Sequence, residues 1–437
     1  MRKLCSAACA LALAGAVLGS SLGVYAEDQT EEKSFEGKTL TMLLELSDGA
    51  SVEGTYAQIA AFEEKYGCTV DVEEISGGDE GENIRMVRLS TGTLADVFTH
   101  NIGSNMAKLD PAENCYDLSG EDWIENVTEG YRSAVTQDGA VYAVPADTSN
   151  VAGVFYNKNV FEDLSIEIPE TWTDFLAVCQ TIKDAGIDPI AAPYSRESNT
   201  QIPFLANYYY VLQENPDFAE QYTNREIELT DSKAFVGGLQ KMYDIATMGY
   251  LNEDYLSTGM EECAAMLGEG TAAMMLVRTN IITTMTSVCP DKINDIGFFP
   301  IPDESADVRG VSYWMPQGFY VNKSAQEPEL AVAWCEFLTT QEAVDAYCSA
   351  VTPCGTFCLN NIETDASNSY VPVAEAQEWI SSGNCTPVME YSCSIKGANQ
   401  PTICSMVASG SITAEDAAQQ IADDNVIDAQ QKGIEGW

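Results

Sequence analysis

The sequence predicts an α/β fold divided into more than one domain, and three observations lead to this prediction. The chain has 437 residues, which is enough for two or three domains of ordinary size. Apolar runs of strand length alternate with segments of helical periodicity in the first part of the chain, which is typical of α/β proteins. Residues 138–161 then contain two extended runs separated by a polar stretch, as expected where a chain crosses from one domain to another.

Strands and helices are predicted to alternate over residues 38–98. The continuous apolar run at 38–46 predicts a strand buried on both faces, as in a parallel sheet. Ligands of such sheets bind beyond the carboxyl ends of the strands, so Asp48 and Asn101, which follow two predicted strands, are candidate ligand-binding residues. The other elements predicted in this part are a helix at 56–66, a strand at 68–75, a helix at 83–90 and a strand at 95–98.

The crossing segment supplies two further candidate residues. A strand is predicted at 140–144, where Pro145 ends it, and a second strand at 151–156. The polar run between these strands contains Asp147 and Ser149. Because this run joins the two domains, both side chains are expected at the place where the domains meet.

Helices dominate the prediction for the second half of the chain. Thr171 is a candidate N-cap, with Asp174 three residues later, and Gly186 ends this helix. Thr413 begins the last helix in the same way, with Asp416 three residues later. The remaining predicted elements are helices at 203–212, 232–249 and 259–268, a pair of helices at 328–347, and extended segments at 189–192, 270–276, 295–302 and 316–321.

Composition excludes several classes of function. The formal net charge of −46 argues against a nucleic-acid partner and an anionic membrane surface, since both require clustered Lys and Arg. His100 is the only histidine, which removes a Ser-His-Asp triad, a His-rich metal site and a His general base. The sequence also lacks a phosphate-binding loop, a nucleophile elbow and a dinucleotide fingerprint. It therefore predicts a protein that is not an enzyme and that uses no cofactor and no metal.

Residues 1–26 are predicted to be a signal peptide. Arg2 and Lys3 precede an apolar run at 4–18, and an A-x-A-like cleavage site ends at Ala26. Residues 27–37 are predicted to form a flexible acidic tether. No later segment reaches the ~18 consecutive apolar residues of a membrane span. The chain is therefore predicted to be exported and to reside outside the cell, at the cell surface or in the periplasm.

The cysteines allow two interpretations, which the sequence leaves open. The chain has 14 cysteines, of which Cys5 and Cys9 lie in the predicted signal peptide. The even number that remains in an exported chain permits disulfide bonds. Alternatively, these residues are free thiols that pack in the core as small apolar side chains. The best candidates for pairing are Cys348, Cys354, Cys358, Cys385, Cys393 and Cys404.

Six segments, in order along the chain, resemble the motifs of one protein family. They read DGAVYAVP with VFYNKNVF, IPETWTDFL with IKDAGIDPI, GEGTAAMM, DIGFFPIP, AWCEFLTTQEAVDAY and SGSITAEDAAQQI. Together they resemble the extracellular solute-binding proteins of ATP-driven importers, in the family-1 carbohydrate-binding group that includes maltose-binding protein. The resemblance covers nearly all of the chain after the predicted signal peptide.

The resemblance implies a specific architecture and function. The family has a two-lobed, periplasmic-binding-protein-like α/β fold of type II, whose lobes are joined by two or three crossing segments and close like a hinge. Lobe 1 would comprise 38–146 plus 297–351, and lobe 2 would comprise 151–296 plus 353–437. The protein would act as a monomer that captures a sugar or oligosaccharide in the cleft between the lobes and delivers it to the membrane permease of an ABC importer.

The resemblance also suggests ligand-binding residues in the second half of the chain. The family often has a Trp shortly after its A-A-M motif, whereas this chain has Asn280 there, preceded by Arg278. Tyr313 and Trp314 are the candidates for stacking on a sugar ring, and Tyr208 is a further candidate from lobe 2. Many relatives carry a lipid on a cysteine at the cleavage site, but Ala26 stands there in this chain, which argues against a lipid anchor.

Three other functions stay open at this point. The chain could bind another small solute, such as a polyamine, because it is acidic. It could be a secreted glycoside hydrolase, which would require two carboxyl groups facing each other across one pocket. It could also be a structural or adhesive surface protein, which would gain no stability from any small ligand.

Overall fold

The structure is a computed structural model, and it describes residues 34–46, 52–365 and 369–437. The predicted signal peptide and the candidate residue Asp48 lie outside the described residues. Residues 27–33 of the predicted tether also lie outside the described residues. Its last part is packed rather than free, because Phe35 is buried and its backbone N–H donates to the carbonyl of Tyr66 at 2.9 Å.

Two sheets organise the described residues. The strands are β1 (Thr39–Leu46), β2 (Thr69–Ser76), β3 (Val97–His100), β4 (Thr136–Gln137), β5 (Ala140–Val141), β6 (Ala143–Pro145), β7 (Asn150–Asn157), β8 (Asp188–Ile190), β9 (Ala272–Arg278), β10 (Ile296–Phe299), β11 (Val311–Trp314), β12 (Gly318–Val321) and β13 (Cys385–Pro387). The first sheet has the order β2-β1-β3-β12-β6, and the second has the order β13-β11-β7-β9-β8 with β10 also paired to β7.

Helices cover both sheets. They are α1 (Val52–Tyr66), α2 (Asp79–Thr91), α3 (Pro111–Asn114), α4 (Glu129–Ala134), α5 (Lys158–Asp163), α6 (Trp172–Asp184), α7 (Glu197–Thr200), α8 (Ile202–Ala206), α9 (Tyr208–Glu214), α10 (Phe218–Thr223), α11 (Lys233–Thr247), α12 (Met260–Glu269), α13 (Ile281–Val288), α14 (Pro328–Leu338), α15 (Gln341–Ala350), α16 (Val371–Ser381), α17 (Gln400–Ala408) and α18 (Ala414–Gln431). Short 3₁₀ helices lie at Gly103–Leu109, Asp122–Asn126, Leu229–Asp231, Pro290–Asp295 and Met389–Tyr391.

The first sheet has the strand order that creates a ligand crevice in α/β proteins. Strand β1 lies between β2 and β3 and runs parallel to both, so the chain order reverses on either side of it. A crevice opens beyond the carboxyl ends of strands at such a reversal. The predicted strand at 38–46 is confirmed as β1, and most of its side chains are buried, as its apolar run predicted.

The second sheet is built around β7, which pairs with β9, β10 and β11 in antiparallel fashion. Successive residues of β7 enter different cores, since Val154 packs with one apolar cluster and Phe155 with another. Both faces of this sheet are therefore covered. The amino end of β7 meets the carboxyl ends of β9 and β11 at one edge, and this edge faces the first sheet's crevice.

Among the described residues, the chain passes between the two halves at three places. The first crossing segment, 146–149, joins β6 to β7, and the second, 315–317, joins β11 to β12. The third begins at 351, after α15, and leads to α16. The first and third segments touch, because Thr148 and Phe357 form an isolated antiparallel bridge.

Local predictions agree with the structure where capping chemistry supports them. The Thr171 hydroxyl accepts from the Asp174 N–H at 3.1 Å, and the Thr413 hydroxyl accepts from the Asp416 N–H at 3.2 Å. Both predicted helix starts are confirmed.

Two predicted elements are divided in the structure. The helix predicted at 203–212 is split into α8 and α9 at Asn207, whose side chain accepts from the Lys241 ammonium at 2.7 Å. The strand predicted at 140–144 is split into β5 and β6. Neighbouring elements, rather than local periodicity, decide both breaks.

The lobe boundaries stay predictions, but sheet membership differs from them in one stretch. The resemblance places residues 297–351 in lobe 1, yet β10 and β11 pair with β7 in the second sheet. The partner strand of a short extended segment depends on residues far away in the chain. The periodicity of the segment itself therefore does not predict which strand it pairs with.

All twelve cysteines between Cys68 and Cys404 are free thiols. The structure therefore corresponds to the second interpretation of the cysteines. Cys335 and Cys404 are fully buried among apolar side chains, and burial raises the pKa of both thiols, to about 12 in the case of Cys404. Buried thiols with such a pKa are unreactive, because the thiolate is the reactive form.

Helix α11 contains two adjacent glycines that should respond oppositely to replacement by alanine. A Cβ at Gly237 would meet nothing within 4 Å, so Gly237→Ala is expected to stabilise the protein by about 0.5–1 kcal/mol through helix propensity. A Cβ at Gly238 would lie 2.9 Å from Asn207 Cβ, so Gly238→Ala is expected to cost about 1–3 kcal/mol. Urea unfolding of both variants measures the difference, and equal effects would contradict the packing described here.

Candidate functional site

A cleft with a cavity volume of about 280 Å³ lies between the two sheets, at the ends of the strands described above. Side chains from both halves and from the first two crossing segments line it. The lining includes Glu45, Thr99, Asn101, Ala146, Asp147, Thr148, Asn150, Arg196, Arg278, Asn280, Trp314, Gln317, Glu390 and Tyr391. The cleft therefore combines polar groups with an apolar surface of about equal extent, which includes one large aromatic ring from the second sheet and one from the segment 389–391.

The first sheet presents the carboxyl ends of β1 and β3 to the cleft. Glu45 and Thr99 lie at these ends, and the Thr99 hydroxyl accepts from the Glu45 backbone N–H at 2.8 Å. Asn101 follows β3 directly, and its amide oxygen accepts from the Gln317 side chain at 3.3 Å. The reversal of strand order at β1 thus places polar groups at the floor of the cleft.

A buried charge network supports this floor. The Arg85 guanidinium, from α2, forms ion pairs with both Glu45 and Glu82, and its side chain is 1% exposed. His100 lies within 3.1 Å of the same Glu82 carboxylate. Burial alone would raise the pKa of Glu82, but the hydrogen bond from His100 and the charges of His100, Arg85 and Lys108 lower it to about 2. Glu82 therefore stays ionised and holds Arg85 and His100 behind the cleft wall.

The first crossing segment forms the back of the cleft. The Tyr347 hydroxyl donates to the Asp147 carboxylate at 2.5 Å, and the Thr148 N–H donates to the same oxygen at 2.7 Å. Asn150 begins β7, and its side-chain oxygen accepts from the Thr279 hydroxyl at 3.2 Å. These contacts fix the orientation of two polar groups at the point where the lobes join.

The second sheet contributes an arginine and a tryptophan that contact each other. Arg278 ends β9, and its guanidinium lies 5.5 Å from the centre of the Trp314 ring, which is a cation–π distance. Trp314 ends β11 and lines the cleft although only 6% of its surface is exposed. Asn280 follows two residues after Arg278 and also lines the cleft.

The two halves touch at the side of the cleft formed by Met389–Tyr391. Gly103 has a φ of +65°, and a Cβ there would lie 2.5 Å from the Glu390 carbonyl oxygen. The Tyr391 hydroxyl donates to the carbonyl of Met315 in the second crossing segment at 3.1 Å. Burial raises the pKa of Tyr391 well above its usual value, so this hydroxyl remains a neutral donor.

Five of the nine predicted ligand-binding residues are brought together in the cleft. They are Asn101, Asp147, Arg278, Asn280 and Trp314. Asp48 lies outside the described residues. Contact between these side chains and a ligand stays a prediction, since the structure contains no ligand.

Three predicted residues do not line this cleft. The Ser149 hydroxyl accepts from the Thr356 N–H at 3.3 Å, so it joins the first and third crossing segments. Tyr208 is buried in the second half, where burial raises its pKa to about 12. Tyr313 pairs with Val151 and Pro387 inside the second sheet. Alternation along β11 directs the Tyr313 side chain away from the cleft, whereas Trp314, the next residue, lines it.

Several lining residues were not predicted from the sequence. Glu45 lies within the apolar run 38–46, and its only signal was its position near the strand's carboxyl end. Asn150 could have been found, because it completes the polar run of the crossing segment. Arg196, Glu390 and Tyr391 come from loops and a short 3₁₀ helix, and no local pattern indicated that they face the cleft.

No group of three or more His, Cys, Asp or Glu side chains in residues 34–46, 52–365 and 369–437 is placed to hold a metal ion. Over the same residues, no helix combines the length and the apolar character that a membrane crossing requires.

Comparison with known proteins supports the same family as the sequence motifs. Residues 48–345, which are more than half of the chain, match the family model described as bacterial extracellular solute-binding protein. An uncharacterised ABC transporter extracellular-binding protein of Pyrococcus horikoshii is 26% identical over 314 residues, which cover 68% of this chain and 67% of that protein.

Two further relatives have named ligands. The melibiose/raffinose/stachyose-binding protein MelE of Bacillus subtilis is 32% identical over 170 residues, which cover 38% of each chain. A crystal structure of a sugar transporter from Bacillus licheniformis in complex with stachyose superposes with a TM-score of 0.67 at 16% identity, covering 88% of this chain and 98% of that chain. This structural likeness confirms the predicted α/β, two-lobed, periplasmic-binding-protein-like fold of type II. On the strength of the family match and the fold, this chain belongs to the bacterial extracellular solute-binding proteins of ABC importers.

Proposed function

We propose that this protein captures a sugar in the cleft between its lobes and delivers it to the permease of an ABC importer. One observation carries the proposal: the cleft combines the Trp314 ring with polar side chains from both lobes, among them Asn101 and Arg278. Sugars present both an apolar ring face and many hydroxyl groups, so their binding sites need aromatic surface and hydrogen-bonding groups together. The sugars named for MelE and for the Bacillus licheniformis protein support the same class of solute.

The charges of the cleft favour a sugar over a polyamine. Arg196 and Arg278 both line it, and a polycation would be repelled by them. The three carboxylates of the cleft among the described residues, which could otherwise attract a polyamine, already have partners: Glu45 pairs with Arg85, Glu390 pairs with Lys396, and Asp147 accepts a hydrogen bond from the Tyr347 hydroxyl. A neutral solute rich in hydroxyl groups would be accepted by arginine, asparagine and carboxylate side chains alike.

The remaining parts of the proposal follow from the family. The protein holds and releases its solute without chemical change, acts as a monomer and is exported by its N-terminal signal. The two lobes, with boundaries close to the crossing segments, move relative to each other on release, and ligand contacts to both lobes stabilise the closed arrangement. An exported binding protein of this kind transfers its solute to a permease in the membrane.

A thermal-shift screen of the purified protein against sugars, oligosaccharides and polyamines tests this proposal. A ligand that binds only the folded state raises both the free energy of unfolding and the melting temperature. At a ligand concentration one hundred times Kd, the added free energy of unfolding is about 2.7 kcal/mol. We expect a shift with one class of sugar and none with polyamines. A folded protein that no sugar stabilises would contradict the proposal, and turnover of a glycoside would indicate a hydrolase instead.

The Trp314 ring should be needed for binding. Trp314→Leu removes the aromatic surface from the cleft and is expected to weaken sugar binding at least tenfold, about 1.4 kcal/mol. Isothermal titration calorimetry measures the Kd for the sugar in the parent and in the variant. A matched control is Trp379→Leu, because Arg309 lies 5.5 Å from the Trp379 ring in α16, away from the cleft. Equal affinities of the two variants would contradict a role for Trp314 in binding.

A further inference from the structure

We propose that His100, the only histidine of the chain, is a positioning residue of the cleft, which holds Asn101 in place for solute binding while both of its ring nitrogens are protonated. This inference rests on the proposed sugar-binding function and makes the affinity for the sugar depend on pH. His100 ends β3 directly before Asn101, which lines the cleft. The His100 side chain itself is 1% exposed and lies behind the cleft wall.

The two ring nitrogens of His100 each face an oxygen that can only accept a hydrogen bond. Nδ1 lies 2.7 Å from the backbone carbonyl oxygen of Asn101, and Nε2 lies 3.1 Å from a carboxylate oxygen of Glu82. The Glu82 carboxylate also pairs with the Arg85 guanidinium, so it is ionised and has no proton to donate. Both ring nitrogens therefore have to act as donors, and only the imidazolium form of histidine provides two N–H groups.

The charges of the network behind the cleft balance when His100 is an imidazolium. Arg85 pairs with Glu45 and Glu82, and Glu82 in turn contacts His100. Two carboxylates then face two cations within this group of four side chains. A neutral imidazole would leave the group with one excess negative charge in a largely buried place, which is unfavourable.

The groups that face His100 from neighbouring elements are compatible with this charge state. Lys108, in the 3₁₀ helix Gly103–Leu109, adds positive charge near Glu82 and helps to lower the pKa of that carboxyl. Tyr320, from β12, lies with its ring centre 6.1 Å from the imidazole, and burial raises the pKa of Tyr320 well above its usual value, so its hydroxyl remains a neutral donor. Since histidine is the side-chain type whose charge ordinarily changes between roughly pH 5 and 8, the response of this group to pH in that range is assigned to His100.

The backbone carbonyl of Asn101 connects the protonation of His100 to the cleft. It accepts hydrogen bonds from His100 Nδ1 and, at 3.1 Å, from the Tyr320 hydroxyl. The side-chain oxygen of Asn101 accepts from Gln317 at 3.3 Å, so both ends of the residue are held. When Nε2 of the imidazolium loses its proton, its lone pair faces the Glu82 carboxylate and the two repel each other. The ring then shifts and its bond to the Asn101 carbonyl is weakened, which loosens a polar group of the cleft.

NMR spectroscopy of the protein with isotopically labelled histidine tests the protonation state without any sugar. The protein is purified without a histidine tag, so all ring-nitrogen signals come from His100. At neutral pH both nitrogens are expected to have the chemical shifts of protonated nitrogens, and the backbone amide signal of Asn101 should move when the ring loses a proton. A neutral tautomer at neutral pH, or an Asn101 signal that does not follow the ring, would overturn the proposal.

Isothermal titration calorimetry over roughly pH 5 to 9 measures the effect on binding, with the sugar that gives the largest shift in the thermal-shift screen. The Kd of the parent should be lowest at the acidic end and rise about tenfold toward the alkaline end, because the imidazolium is the form that holds Asn101. His100→Gln has no ring to titrate, so its Kd should not vary with pH. Tyr320→Phe is the matched control, because it removes the other hydrogen bond to the Asn101 carbonyl. It should raise Kd and keep the pH dependence of the parent.

The possible outcomes separate this proposal from the sugar-binding function. If the Kd of the parent does not change with pH, or if His100→Gln keeps the pH dependence of the parent, the role of His100 is overturned while the sugar-binding function stands. Circular dichroism verifies that the variants are folded. If His100→Gln does not fold, His100→Asn replaces it, since its amide can donate to the Asn101 carbonyl without titrating. If the parent binds no sugar at any pH, the proposed function fails, and the NMR titration decides whether the imidazolium positions Asn101.

Discussion

Replacing Arg85 with alanine is expected to lower the free energy of unfolding by about 3–5 kcal/mol. The Arg85 side chain is 1% exposed and pairs with Glu45 and Glu82. Its removal would leave two carboxylates partly or wholly buried without their cation, and an uncompensated buried charge is among the most destabilising changes in a protein. Part of the loss will be recovered where Glu82 keeps its contact with His100. Urea unfolding at neutral pH measures the effect.

Arg88→Ala is the matched control for this prediction. Arg88 lies one turn further along α2 and pairs with the Glu73 carboxylate at the surface, where the two side chains are 28% and 53% exposed. Exposed ion pairs contribute about 0–1 kcal/mol, so this variant should be close to the parent in stability. If Arg85→Ala and Arg88→Ala had equal effects, the buried network behind the cleft would not be the support described here.

Replacing Gly355 with alanine is expected to cost about 1–3 kcal/mol in stability and to weaken ligand binding at the same time. A Cβ at this position would overlap the carbonyl oxygen of Ser149, which is a backbone atom and cannot rotate away. The first and third crossing segments would have to separate. Their hydrogen bond, from the Ser149 N–H to the Thr356 carbonyl at 2.9 Å, would be strained or lost.

Binding should respond because the displaced segment is also part of the site. Asp147, Thr148 and Asn150 line the cleft and flank Ser149. Unfolding in urea and titration with the bound sugar measure the two effects together. Gly120→Ala is the control, since a Cβ at Gly120 meets nothing within 4 Å and its φ is not positive. A Gly355→Ala variant with the stability and affinity of the parent would show that the third crossing segment does not press on the first.

Much of the candidate site followed from the sequence because its positions are defined by where strands end. Asn101 follows β3, and Asp147 lies between β6 and β7, so recognising the strands was sufficient to place both near a crevice. The alternation of side chains also separated neighbours: of the pair Tyr313 and Trp314, only the second lines the cleft. The sequence gives no basis for choosing between them, because both are aromatic. Which face of β11 points toward the cleft depends on the strands that pair with it.

The sequence by itself determined most of the elements, the family and the location of the first crossing segment. Periodicity and capping chemistry are local, so β1, β7 and α6 could be predicted from residues close together in the chain. The tertiary structure alone decided which distant residues meet. It brought Arg85 to Glu45, Tyr391 to Met315 and Gly355 to Ser149, across separations that no local pattern encodes. Long-range sheet pairing and the folding of the second half around β7 create these contacts, and the cleft is their product.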